Sequence, residues 1–88
     1  MLTGGQIRAA RAFLRWSATV LSEHSGVSHP TIQRMEKAEG VPHSNVYTLA
    51  AVQETLENAG IEFIPENDGG GAGVRFRKPN NDPEGTSS

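Results

Sequence analysis

The chain has 88 residues and a formal net charge of −2, with 35% hydrophobic and 20% charged residues, which is enough for one small domain and too little for two. It contains no cysteine, which excludes disulfides, thiol catalysis and cysteine-ligated zinc. No apolar run approaches the roughly 20 residues that span a bilayer, and Met1-Leu2-Thr3-Gly4-Gly5 lacks the basic and apolar stretches of a secretory signal, so a cytoplasmic chain with no membrane partner is expected.

Thr3 followed three residues later by Gln6 is a capping-box pattern and predicts a first helix to about Arg15. Ile7, Ala10 and Leu14 fall on one helical face, while Arg8, Arg11 and Arg15 occupy another and are expected to be solvated with some ion pairing. Trp16 is expected in or at the edge of the core. Ser17 caps a short second helix, about Ala18 to Ser25, with Leu21 as its core anchor and Gly26 as its stop. Ser28 caps a third helix with Pro30 in the first turn, where a missing N–H does no harm. Ile32 and Met35 should face inward, Arg34 has Glu36 and Glu39 as candidate ion-pair partners, and Gly40 and Pro42 end the helix. Ser44 or Asn45 caps a fourth helix carrying Val46, Leu49, Ala50, Val52 and Leu56, terminated by Gly60.

The period then changes. Ile61–Ile64 and Val74–Arg77 read as short strands around a flexible loop, Pro65 to Gly73. A lone hairpin is only marginally stable in water, so it should lie on the helices or pair with another chain. Phe63 and Phe76 are placed over the open end of the helical core. Residues 78–88 are polar, Gly or Pro and are expected to form a disordered tail. The expected architecture is therefore mainly α: a small bundle of four to five helices over residues 1–60, a C-terminal strand pair over 61–77, and the tail.

The charge is uneven. Residues 1–43 carry five Arg/Lys against three Glu, and residues 44–88 carry three against seven acidic residues. That permits binding to nucleic acid without announcing it. His24, His29 and His43 fit no standard metal spacing. The run Gly69-Gly70-Gly71-Ala72-Gly73 opens no helix and ends in no lysine, so it is a linker rather than a phosphate cradle. With no nucleophile elbow and little chain to enclose a substrate, neither an enzyme nor a cofactor is expected.

The informative unit is a short helix, the turn Gly26-Val27-Ser28 and a second capped helix, which together make a helix-turn-helix. With Ile7-Arg8-Ala9-Ala10-Arg11, Trp16-Ser17, Leu21 and Pro30-Thr31-Ile32-Gln33-Arg34-Met35-Glu36, it resembles the Cro/XRE family of helix-turn-helix regulators over about residues 3–60. The resemblance implies a λ-repressor-like fold and transcriptional regulation. It also implies a double-stranded DNA operator as ligand, with the helix at about 28–38 in the major groove. Thr31, Gln33 and Arg34 would face bases. Gln suits adenine and Arg suits guanine. Ser17, Ser28 and Lys37 would meet phosphates. The chain departs from the family at Ala18, where a phosphate-contacting Gln is usual. It departs again at Val20, an apolar residue expected to be exposed where a charge is usual, and at His29 and His43, where basic residues are common. These departures weaken the expected phosphate contacts.

The sequence thus leaves a second reading open. The chain also resembles the small helix-turn-helix antiactivators that bind transcriptional activators of conjugative-element transfer. That resemblance implies sequestration of an activator protein; on this reading Val20, His24, His29 and their neighbours form the contact patch, with Phe13 or Tyr47 as anchors. A homodimer through the C-terminal strands is a further expectation, because reading two half-sites requires two-fold symmetry.

Overall fold

The structure, a computed structural model, describes residues 2–78. The element order is α1 (Gly4–Leu14), α2 (Ala18–Ser25), α3 (His29–Glu36), α4 (Val46–Asn58), β1 (Ile61–Ile64) and β2 (Gly73–Phe76). A small, mainly helical bundle thus carries a two-stranded antiparallel sheet. The expected tail beyond Lys78 lies outside the described residues. Among those described, no helix is long and apolar enough to cross a membrane.

Local sequence explains most boundaries. The Thr3 hydroxyl accepts from the Gln6 N–H at 3.1 Å, and the Gln6 side chain accepts from the Thr3 N–H at 3.0 Å, so the capping box is complete. α1 stops at Leu14 because Arg15 turns left-handed, with φ 58°, and the Trp16 N–H closes back on the Arg11 carbonyl at 2.9 Å. α2 ends at Gly26, φ 76°, a conformation glycine adopts without cost. α3 is shorter than the punctuation at Gly40 and Pro42 suggests. It ends at Glu36 with Lys37 as C-cap, its last turn tightened by bonds from the Lys37 N–H to the Arg34 carbonyl and from the Ala38 N–H to the Met35 carbonyl, both 3.3 Å, and the start of α1 lies close against the carbonyls there. Of the two candidate caps for α4, Asn45 serves, its Oδ1 accepting from the Tyr47 N–H at 2.7 Å.

The core takes Ile7 and Ala10 from α1, Leu21 from α2, and Ile32 and Met35 from α3. It is completed by Leu49, Val52 and Leu56 from α4, Ile61 from β1, and Leu2. Each large aliphatic side chain removed from water contributes about 1.5–3 kcal/mol. Leu14, Trp16, Val27, Phe63, Val74 and Phe76 cover this cluster as half-buried residues. Val46 and Ala50, on the same helix as Leu49, face solvent instead.

The hairpin register pairs Ile61 with Phe76, Glu62 with Arg75, Phe63 with Val74 and Ile64 with Gly73. β2 thus begins and ends one residue earlier than the apolar pattern suggests. Ile61, Phe63, Val74 and Phe76 share the face against the helices. Glu62 and Arg75 lie on the other, joined by a bidentate pair at 3.0 and 3.2 Å. One buried polar side chain fastens the sheet to α1: Gln6 Nε2 donates to the Gly73 carbonyl at 2.9 Å and to the Ile64 carbonyl at 3.2 Å. Its Oε1 already serves the capping box, so no polar atom of this buried amide lacks a partner.

Candidate nucleic-acid interface

α2 and α3 are eight residues each and are joined by residues 26–28. Leu21 on one and Ile32 and Met35 on the other are fully buried, which pins both helices to the core and fixes which side of α3 looks outward. Val27 packs on the core between them. The outward side carries Gln33 and Arg34, both exposed, followed by exposed Lys37 at the C-cap. Thr31 and His29 are half-buried in the first turns, and Ser28 is exposed.

The caps differ from expectation in one respect. Ser17 accepts from the Val20 N–H at 3.1 Å, as its position predicts. Ser28 occupies the N-cap of α3 but makes no side-chain cap bond; its hydroxyl pairs with Thr31 Oγ1 at 2.8 Å. With Pro30 in the first turn, one backbone donor that a cap would serve is missing, and the two hydroxyls satisfy each other.

α1 runs behind α3, and the three arginines divide between solvent and ion pairing as expected: Arg8 and Arg15 are exposed, and Arg11 is paired. Arg11 Nε and Nη2 grip the two Glu36 carboxylate oxygens at 2.7 and 2.8 Å, and Nη1 donates to the Trp16 carbonyl at 2.9 Å. Glu36 is buried and Arg11 half-buried. The hydrogen bond to Glu36 raises the Arg11 pKa, outweighing the opposing effect of burial. One side chain thus ties α1, α3 and the α1–α2 connection together, and neither Glu36 nor Glu39 forms an ion pair with Arg34. Arg8 donates to the Glu36 carbonyl, placing a cation at the negative end of α3.

A depression of about 260 Å³ beside α3 is lined by Arg8, Arg11, Ala18, Gln33, Glu36 and Lys37. It brings together three of the candidate contact residues: Ala18 from the start of α2, and Gln33 and Lys37. Arg8, exposed as expected, joins them. Nothing in the linear pattern signals this, because Arg8 meets Lys37 only through the α1–α3 packing.

The remaining candidates lie elsewhere. His24 stacks on Trp16, ring centroids 4.6 Å apart, and with Thr55, Asn58 and Ala59 lines a separate depression. Val20, expected to be exposed, is instead half-buried on α2. Phe13 packs against Phe76 at 5.1 Å, whereas Tyr47 stands 81% exposed at the start of α4. Among the described residues, no three His, Asp or Glu side chains come together as a metal site. Compared with known proteins, the chain matches no protein-family model and no curated sequence.

Proposed function

We propose that this protein is a small transcriptional regulator of λ-repressor-like helix-turn-helix fold that reads double-stranded DNA through α3. The observation that carries this is the adjacent, exposed pair Gln33 and Arg34 on a helix whose other side is locked into the core by Ile32 and Met35. A rigidly held helix with free amide and guanidinium groups has the chemistry to pair bidentately with adenine and guanine edges. Thr31 lies beside them, and Ser17, Ser28 and Lys37 flank the helix toward phosphates.

Reading two half-sites requires two copies. The Arg77 N–H donates to the Gly60 carbonyl at 2.8 Å. The alternation of an antiparallel ladder then turns the main-chain groups of Val74 and Phe76 outward, away from β1. That edge is the surface through which a second copy would pair, and sedimentation of the full chain tests it.

The decisive assay is binding to a fragmented library of the source genome at physiological salt. A discrete, two-fold symmetric site is expected. Gln33→Ala and Arg34→Ala should each cost about 1–3 kcal/mol at one base position and relax choice there. Unchanged affinity in both variants would refute readout by α3.

One observation favours capture of a transcriptional activator protein instead. Val41, Val46 and Tyr47 are 47%, 57% and 81% exposed, and all belong to the α3–α4 connection and the first turn of α4. An exposed aromatic with aliphatic neighbours is the composition of a protein-binding anchor. On that reading the genomic assay yields no enriched site, and Tyr47→Ala or Val20→Glu abolishes activator binding with an unchanged circular dichroism spectrum.

A further inference from the structure

A depression of about 370 Å³ opens where the hairpin meets the amino end of α1, and it shares no residue with the one beside α3. Its volume is in the range of small-molecule sites. Its walls come from residues 2–6, the α3–α4 connection, α4, and β1 with the loop that follows. Leu2, Val41, Phe63, Pro65 and Ala72 give the lining an apolar side. Leu2 is buried and Phe63 half-buried, whereas Val41 is left 47% exposed. A hydrocarbon body seated here would take the Val41 side chain out of water, which favours binding.

The polar side is rich in acceptors and negative. Glu66 is the charged residue of the lining; its carboxylate is exposed and forms no ion pair among the described residues. Half-buried Gln53 donates its amide N–H to Glu57 Oε2 at 3.1 Å, which leaves its carbonyl oxygen as a free acceptor among the described residues. Gln6 adds nothing further, since its amide already serves Thr3, Ile64 and Gly73. No lysine, arginine or histidine among the described residues lines the depression. A carboxylate and an amide oxygen beside an apolar wall suit a cationic donor carried on a hydrocarbon body. An anion of the same shape would meet Glu66 with no cation to offset it.

We propose that this depression binds a small apolar amine, its ammonium group toward Glu66 and Gln53 and its hydrocarbon body against Val41 and Phe63. The walls come partly from the helical bundle and partly from the hairpin, so an occupant bridges the two and steadies the hairpin on the helices. The inference stands apart from the DNA reading, because none of the base-reading residues shares this lining.

The probe is phenethylamine, protonated at neutral pH, with phenethyl alcohol and hydrocinnamate as neutral and anionic compounds of similar shape. Each is titrated into the full chain while backbone amide resonances are followed. Saturable shifts at Thr3, Gln53, Phe63, Glu66 and Ala72 are expected with the amine, with weaker binding of the alcohol and the weakest of the carboxylate. Glu66→Gln should weaken the amine about two- to fivefold, the scale of one exposed charge pair, and the alcohol by less. Val41→Ala should weaken amine and alcohol alike, since it removes apolar contact only. Both side chains are exposed, so both variants should keep the wild-type circular dichroism spectrum. Amide exchange in β1 and β2 should slow at saturating amine, and unchanged exchange would overturn the bridging of hairpin and bundle. Equal or tighter binding of the carboxylate, or an equal loss of amine and alcohol in Glu66→Gln, would overturn the assignment of a cationic ligand. The absence of saturable shifts at these residues with all three compounds would overturn the site itself.

Discussion

The two adjacent glycines at the start of α1 should respond in opposite directions to the same substitution. Neither has a positive φ, so alanine fits the backbone at both. Replacing a helical glycine by alanine in a compatible conformation stabilises by about 0.4–1 kcal/mol, chiefly by restricting the unfolded chain. At Gly5 the nearest atoms to a new Cβ lie at 3.7 and 3.8 Å, ordinary contacts, so Gly5→Ala should gain that amount. At Gly4 the Cβ would stand 2.5 Å from the Met35 carbonyl oxygen and 2.6 Å from that of Ala38. Both are backbone atoms and cannot rotate away. α1 would have to retreat from the end of α3, straining the Gly4 N–H bond to the Gly40 carbonyl, 3.1 Å, and the Arg8 and Arg11 contacts to Glu36. Overpacking of this kind costs about 1–3 kcal/mol and a weakened hydrogen bond about 1 more. After the propensity gain, Gly4→Ala should lose about 1–3 kcal/mol. With a urea m-value of about 1 kcal/mol/M for a chain this small, its midpoint should fall by about 1–3 M while that of Gly5→Ala rises. Urea melts followed by far-UV circular dichroism and Trp16 fluorescence measure both. A Gly4→Ala midpoint at or above wild type, with Gly5→Ala behaving as described, would refute the close approach of α1 to α3.

Three further outcomes follow from the polar contacts. Glu36→Gln leaves Arg11 half-buried without its counter-charge and should cost about 2–4 kcal/mol. A double-mutant cycle with Arg11→Met should return a coupling well above that of the exposed Glu62–Arg75 pair, for which surface pairs predict little. Gln6→Leu removes the donor to the Ile64 and Gly73 carbonyls and should cost about 1–3 kcal/mol. Amide exchange should accelerate first in the hairpin and only then in the helices; uniform acceleration would show that the sheet does not depend on this side chain. Finally, the hydrogen bond from Arg75 holds the Glu62 carboxyl below the usual carboxylate range. A lowered folded-state pKa stabilises above the unfolded value near 4.5, and that contribution disappears as the pH falls through the folded value. Glu62→Gln should therefore narrow its stability difference from wild type on acidification from pH 6 to 3, and a constant difference would contradict the pairing.

The linear pattern contained what local chemistry controls. The Thr3–Gln6 capping box, the Ser17 cap, the left-handed stop at Gly26, the inward Leu21, Ile32 and Met35, and the change of period at Ile61 depend on residues within a turn or two of one another. Such signals survive whatever the rest of the chain does. The same holds for the exposure of Gln33 and Arg34, which follows once Ile32 and Met35 face inward on a 3.6-residue period.

Only the tertiary structure decided the rest, because it depends on which helices touch. That Arg11 pairs with Glu36 across 25 residues, while Arg34 goes without either nearby glutamate, follows from the packing of α1 on α3. The close approach of Gly4 to the carbonyls of Met35, Glu36 and Ala38 at the end of α3 is likewise set by this packing, and no local signal announces it. Gln6 shows both levels in one side chain. Its oxygen answers Thr3, three residues away, as the sequence pattern predicts; its nitrogen answers Ile64 and Gly73, at separations of 58 and 67 residues that no local periodicity encodes. The convergence of Arg8, Ala18 and Lys37 around one depression is of this second kind: α1, the start of α2 and the C-cap of α3 contribute one residue each, and only the docking of the helices brings them together.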